Sequence, residues 1–331
     1  MRITALAGGV GGARFLRGLR RHLAQHPTPG SSDEPVSLTV IGNTGDDITL
    51  FGLRVCPDID TLLYTLGGGV HEEQGWGRAD ETHSLSDELA ALGAEPQWFT
   101  LGDKDFATHV YRSQLLAQGV PLSQVVARLS ERWGLGQQGV TLLPMTDTPV
   151  ETHVVIDDGG DQRAIHFQEW WVRHRAAVPA KRFVVAGLDR ATAGPGVLEA
   201  IREADVVLLP PSNPVVSIGI ILGVPGVRDA LRGTRAPVVG VSPLIDGRPV
   251  RGHADVCLQA IGVAATSEAV AGLYADFLDA WLVSPDDPMQ SRPGLHVEHR
   301  PLLMGSLDAA ADLAGAALAR ATRLGPGRTT A

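Results

Sequence analysis

Apolar residues along the chain change spacing repeatedly, from alternate positions to every third or fourth, as strands followed by helices do. The opening run Arg2–Ala7 (RITALA) is short and β-prone, and it ends in Gly8-Gly9-Val10-Gly11-Gly12. Over 13–24, Phe15, Leu16, Leu19 and Leu23 then recur at helical spacing, so a strand, a glycine turn and a helix are predicted. Residues 26–35, rich in Pro, Gly, Ser and Asp, read as a loop. A second strand at 37–41 (SLTVI) runs into Asn43-Thr44-Gly45-Asp46-Asp47. This βαβ unit implies a parallel sheet.

From Asp58 to about residue 138, helical patterns dominate (DIDTLLYTL, SLSDELAALG, DFATHVYRSQLLAQG, LSQVVARLSERWG), which predicts a largely helical insertion. The stretch 140–168 alternates β-branched with polar residues and carries the turn signal Asp157-Asp158-Gly159-Gly160, a predicted hairpin. Beyond it, 182–186 (RFVVA), 205–209 (DVVLL) and 236–241 (APVVGV) are runs suited to strands covered on both faces, and they are assigned to the same sheet. Residues 284–293 read as an exposed loop. The fold class is therefore α/β, with a core over 1–57 and 140–324, a helical insertion over 58–139 and a flexible tail over 325–331.

Composition narrows the function classes. The 331 residues are 44% hydrophobic and 20% charged, a globular balance. Lys plus Arg number 28 against 37 Asp plus Glu, a formal charge of -9, which argues against a nucleic-acid partner. Cys56 and Cys257 are far apart with no CxxC, which suits a reducing compartment and provides no thiolate metal site. No run approaches the roughly 18 apolar residues of a membrane span. The first apolar stretch is glycine-broken and followed by Arg14 rather than a cleavage site, so no signal peptide is read and the cytoplasm is expected.

A glycine turn after a strand lets backbone N–H groups and the next helix N-terminus approach a phosphate, because no Cβ intervenes. The spacing fits neither G-x-G-x-x-G, since position 14 is Arg, nor the P-loop, since no Gly-Lys-Ser/Thr follows. Dinucleotide and NTP-hydrolase readings lose support, and a turn that merely packs helix on strand stays open. Arg14 could reach a bound anion, although a solvated Arg is the ordinary outcome.

Two acidic clusters follow, Gly45-Asp46-Asp47 and Pro57-Asp58-Ile59-Asp60. In an open parallel sheet the ligand crevice lies outside the strand C-termini, where the glycine turn and the first acidic loop would emerge together. One Asp from each cluster suffices for Mg²⁺, which takes one or two carboxylates beside phosphate oxygens and waters. The plainer role of Asp58 or Asp60 is a helix cap. Gly102-Asp103-Lys104-Asp105 precedes a helix whose Thr108, His109 and Arg112 share a face. They line the same cleft or, with Asp105 as cap, form a solvated face. The block His166-Phe167-Gln168-Glu169-Trp170-Trp171, followed by Arg173 and Arg175, suits a planar ligand, an oligomer surface or core packing. Ser212, Asn213 and Ser217 follow the DVVLL strand and suit base or phosphate contacts, or simply a turn.

The ordered blocks GGVGGARFL, NTGDD, CPDIDTLLYTLGGG, GWG, GDKDFATH, RSQLL, LPMTD, ETHVV, AIHFQEWWVR and PSNPVVSIG resemble the 2-phospho-L-lactate transferase family, CofD in archaea and FbiA in actinobacteria, over about 1 to 283. HFQEWWVR looks like the actinobacterial branch. The resemblance implies a phosphotransferase of coenzyme F-420 biosynthesis with a Rossmann-like nucleotide-binding core, a helical substrate region contributing to a deazaflavin site, Mg²⁺ and a homodimer. Such an enzyme joins a guanosine-diphosphate-activated three-carbon acid to the ribityl hydroxyl of the deazaflavin Fo and releases GMP. The acid is enolpyruvyl in the actinobacterial branch and phospholactyl in archaea.

Carried over residue by residue, the resemblance makes Asp46 and Asp58 metal ligands and Asp60 a catalytic group in contact with Fo. It also makes Lys104 and His109 contacts for Fo, sets Gly9, Gly11 and Gly12 at the diphosphate, and sets Ser212, Asn213 and Ser217 at the guanosine side. Lys104 stands where the family commonly has Arg, so charge survives but bidentate hydrogen bonding does not. The expected partners are two small substrates and a second copy of the chain, with no nucleic acid and no membrane. The competing reading is a nucleotide-sugar-binding regulator of the related gluconeogenesis-factor type; a dehydrogenase fails on the broken G-x-G-x-x-G.

Overall fold

The apolar runs of the sequence assemble into a seven-stranded parallel sheet in the computed structural model, which describes residues 1–26 and 36–325. In chain order the first half contains β1 (Arg2–Ala7), α1 (Gly9–Gln25), β2 (Ser37–Gly42), β3 (Ile48–Leu50), β4 (Leu53–Val55), α2 (Pro57–Leu66), α3 (Ser84–Ala91), α4 (Asp103–Ala117) and α5 (Leu122–Arg132). Then come β5 (Val140–Pro144), β6 (Glu151–Asp158), β7 (Asp161–His166), β8 (Ala180–Ala186), α6 (Val197–Arg202), β9 (Val206–Leu209), α7 (Ile218–Gly223) and α8 (Val227–Gly233). The last part holds β10 (Val238–Val241), β11 (Leu244–Ile245), β12 (Arg248–Pro249), α9 (Ala254–Ala260), α10 (Ser267–Gly272), β13 (Ala280–Val283), β14 (His296–His299) and α11 (Leu307–Leu324).

The sheet order is β14-β13-β10-β9-β1-β2-β5. β1 pairs with β2 from Arg2↔Ser37 to Ala7↔Gly42 and with β9 on its other edge. The chain thus winds from β1 to one side and later to the other, so the strand order reverses beside β1, and the crevice of such a sheet opens at that point. Alternation along β1 sends Ile3, Ala5 and Ala7 to one face, where they meet α1, α2, α5 and α11, and Leu6 to the other, beside residues of α6, α7 and α8.

Helices α2 and α5, inside the 58–139 stretch, share the first of these clusters with the sheet through Ile59, Leu62, Val125 and Val126. Helix α3 buries no residue, and Ile48, Leu50, Val55, Leu101 and Phe106 form a small cluster of their own. The amphipathic α11 packs along α1, where a Cβ on Gly18 would stand 2.4 Å from the Ala310 carbonyl carbon.

Two expectations are corrected. The run RFVVA lies in β8, which is not part of the main sheet: it pairs antiparallel with β6 in a separate β7-β6-β8 sheet. Its residues alternate in exposure and Val184 is 43% exposed, so it is a one-sided strand whose apolar run only looks like a doubly covered one. The first helix begins at Gly9 rather than at 13, so the glycines form its first turn instead of a loop before it. The expected hairpin is present as β6 and β7. Residues 27–35 of the expected loop and 326–331 of the expected tail lie outside the described residues. Among the described residues no helix is long and apolar enough to cross a membrane.

Candidate active site

Four strand ends open onto one cleft of 1160 Å³: Gly8 after β1, Asp46 after β2, Ser212 to Ser217 after β9, and Ser242 after β10. That exceeds the roughly 300–1,000 Å³ of an ordinary small-molecule pocket and suits two substrates side by side.

The glycine turn is small because its neighbours stand against it. A Cβ on Gly8 would meet Asp58 Oδ2 at 2.3 Å and Ser217 Oγ at 2.8 Å. One on Gly11 would meet the Pro211 carbonyl at 2.4 Å, and one on Gly12 would meet Ser212 Oγ at 2.5 Å. Ser212 clasps the turn from across the strand reversal, accepting from the Gly8 N–H (3.1 Å) and donating to its carbonyl (2.8 Å). Gly9 and Gly11 line the cleft, whereas Gly12 is buried against Ala7 and does not. Asn213 lines the cleft but spends its amide oxygen on the Val215 and Val216 N–H groups, and Ser217 Oγ lies 3.4 Å from Asp58 Oδ2.

Asp46 and Asp58 meet through Asn43. Its fully buried amide nitrogen donates to Asp58 Oδ2 (2.9 Å), to the Val216 carbonyl (3.1 Å) and more weakly to Asp46 Oδ1 (3.3 Å), while its oxygen accepts from the Gly45 N–H (2.9 Å). No cationic side chain among the described residues acts on either carboxylate. Burial, and then the charge of Asp58, hold the Asp46 carboxyl well above the usual range. Burial pushes Asp58 up to about 6 against the pull of Asn43, the Gly9 N–H and Ser217. Two buried carboxylates with no counter-charge fit a hard divalent cation. Among the described residues no group of three His, Cys, Asp or Glu side chains could hold a metal alone, so phosphate oxygens and water would complete the shell, as Mg²⁺ ordinarily has it.

Asp60 has the opposite surroundings. Arg112, with none of its surface exposed, donates from both terminal nitrogens to the two Asp60 oxygens, at 3.0 Å from Nη1 and closer from Nη2, and reaches the Arg54 carbonyl at 3.2 Å. Nη1 also lies 3.1 Å from His109 Nδ1. The other ring nitrogen, Nε2, lies 3.4 Å from Asp105 Oδ1. Tyr64 donates its hydroxyl to the same Asp105 oxygen at 2.6 Å. Asp60, His109 and Asp105 line the cleft, so this helix face is neither solvated nor capped by Asp105: the cap position of α4 is Gly102, and Asp105 sits in the first turn. Neither Asp58 nor Asp60 caps α2, which begins at Pro57 after Cys56.

Lys104 is not brought to the cleft. It is exposed and its Nζ donates to the Ala79 and Asp80 carbonyls. The aromatic block divides its work: Trp170 is fully buried with its N–H on the Val178 carbonyl (2.7 Å), whereas Phe167, Gln168 and Trp171 line the cleft, Trp171 edge-on to His253 with ring centres 5.0 Å apart. Tyr64, Arg251 and His253 carry no local signal in the sequence; Asn43 does, as the first residue of the Asn-Thr-Gly turn after a strand.

Known proteins with similar sequences cover the whole arrangement. The family model described as 2-phospho-L-lactate transferase CofD matches residues 3–299. A protein of Thermobifida fusca named phosphoenolpyruvate transferase is 60% identical over 325 residues, 98% of this chain and 99% of that one. Proteins of the same name from Streptomyces coelicolor and Mycolicibacterium smegmatis are 55% and 53% identical, each over 96% of this chain and 97% and 100% of theirs. A crystal structure of a UPF0052-family protein from Bacillus halodurans superposes with a TM-score of 0.58 at 18% identity, over 96% of this chain and 99% of that one, a likeness of fold. Bearing the seven-stranded core, the glycine turn and the paired aspartates, the chain belongs to the 2-phospho-L-lactate transferase CofD family and is a transferase of F-420 biosynthesis.

Proposed function

We propose that this transferase moves a phosphoenolpyruvyl group from a guanosine-diphosphate-activated donor to the ribityl hydroxyl of Fo and releases GMP. The enolpyruvyl donor is preferred to the lactyl one because relatives 53–60% identical carry the name phosphoenolpyruvate transferase. One observation carries the reading: Asp46 and Asp58 are buried without a counter-charge beside the glycine turn that opens α1. That is a place for a diphosphate with a divalent cation.

In the reaction the hydroxyl oxygen bonds to the phosphorus that bears the three-carbon acid, the bond from that phosphorus to the GMP oxygen breaks in line, and the hydroxyl proton is released to solvent. The α1 N-terminus faces the diphosphate, the Gly9 N–H and Asn43 hold the Asp58 carboxylate beside it, and Ser212 holds the turn. Mg²⁺, when bound by Asp46 and Asp58, offsets the charge of the diphosphate and of the leaving GMP. Asp60, its oxygens oriented by Arg112, accepts a hydrogen bond from the hydroxyl, and His109 and Asp105 shape the same wall. Lys104 is left out of the Fo site, since it is turned away from the cleft. No Ser–His or Cys–His nucleophile is required, because such transfers proceed by positioning and electrostatics.

The test is to incubate the protein with Fo, Mg²⁺ and the enolpyruvyl or lactyl guanosine diphosphate, and to weigh the products. A deazaflavin heavier by the phosphoenolpyruvyl group, with GMP in equal amount, is expected. Unaltered Fo with bound nucleotide would replace the reading by a nucleotide-binding regulator.

A further inference from the structure

The cleft is short of positive charge. Asp46, Asp58, Asp60, Glu73 and Asp105 line it, and among the described residues its only lysine or arginine side chains are Arg14 and Arg251. The two come from distant parts of the sequence, Arg14 from the second turn of α1 and Arg251 from the segment after β12, and converge on the 72–75 loop. Arg14 Nη2 reaches the Glu72 carbonyl at 3.4 Å, while Arg251 donates to the Glu73 carbonyl at 3.2 Å and to that of Gln74. A Cβ on Gly75 would stand 3.4 Å from Arg14 Nη2 and 3.1 Å from Arg251 Nη1, so the guanidinium groups are neighbours.

Neither has a carboxylate partner among the described residues. Glu72, whose charge acts on Arg14, is paired with Arg17 at 2.8 Å. Burial and then the charge of Arg251 lower the Arg14 pKa against the pull of Glu72. Two adjacent cations facing a cleft, each with N–H donors to spare, fit an anion.

We propose that Arg14 and Arg251 form a subsite for the carboxylate of the three-carbon acid on the donor. The proposal rests on the transferase reading above. In that reading the diphosphate lies at the α1 N-terminus and the Asp46–Asp58 pair, which leaves the carboxylate as the donor's one anionic group without a positive partner. A planar carboxylate matches the guanidinium fork, and two forks from separate segments select an acid over a neutral group of the same size.

The experiment compares two probes by titration calorimetry with Mg²⁺ present: guanosine diphosphate esterified on its terminal phosphate with lactate, and the same diphosphate bearing an isopropyl group. In Arg14→Gln and in Arg251→Gln the lactyl ester should bind about 10- to 100-fold more weakly than in the natural protein, the worth of a hydrogen bond to a charged group. The isopropyl ester should stay within about twofold, which also shows that the variants fold. Equal weakening of both esters would assign the pair to the diphosphate and overturn the proposal, as would unchanged binding of the lactyl ester. Failure of the natural protein to bind either ester would overturn the donor reading and the subsite with it.

Discussion

Asp58 and Asp60 stand two residues apart on the first turn of α2, and both are at least nine-tenths buried, yet their surroundings are opposite. Asp60 turns toward α4 and is neutralised by Arg112. Asp58 turns toward the glycine turn, where Asn43, Ser217 and a backbone N–H are its only aids and Asp46 adds a like charge. Residues two apart on a helix point to different sides, so one turn supplies both a finished ion pair and an unfinished one. An unfinished pair costs stability in the free protein and is the arrangement that a divalent cation completes.

Three variants press on this contrast. The largest effect is expected from Arg112→Met, which leaves Asp60 buried without its partner; unfolding in urea should show a loss of about 3–5 kcal/mol. Adding Asp60→Asn should restore a large part of it, and no restoration would mean that Arg112 acts through packing alone. Next, Asp58→Asn should keep the fold but lower Mg²⁺-dependent GMP release by at least about a hundredfold, since the charge stabilisation supplied by a bound metal is worth several kcal/mol. Full activity in that variant would remove Asp58 from the metal site.

The smallest effect concerns pH. The folded Asp58 pKa of about 6 lies above the ordinary 3.8, so the native state holds that proton more tightly than the unfolded chain. Its contribution is fully present below about pH 4 and is lost as the pH rises through about 6. In chelator, Asp58→Asn should remove this decline from the urea-unfolding profile; an identical profile in both proteins would contradict the burial argument.

The sequence discloses most of what is local. β1, β2, β9 and β10 appear as apolar runs, and the acidic clusters and Ser212 to Ser217 stand at strand ends, where the winding of a parallel sheet collects them. What it hides depends on distant partners. Arg112 and Asp60 are both ordinary helix residues until α4 packs beside α2, and only then does one become the counter-ion of the other. RFVVA has the composition of a covered strand, and its open face follows from pairing with β6 at a sheet edge. Gly12 looks like part of a phosphate loop, and only the structure shows that Ala7 and Ser212 stand where its side chain would be. Arg251 sits in a Gly/Pro/Arg segment with no pattern at all, and its place beside Arg14 is set by the 72–75 loop.

The central claim is that one aspartate of α2 is open to a metal and the other is not. Mn²⁺ binding, followed by electron paramagnetic resonance with guanosine diphosphate present, tests it in Asp58→Asn and Asp60→Asn proteins. The account predicts that Asp58→Asn abolishes Mn²⁺ binding and Asp60→Asn retains it; loss in Asp60→Asn, or undiminished binding in Asp58→Asn, would contradict it.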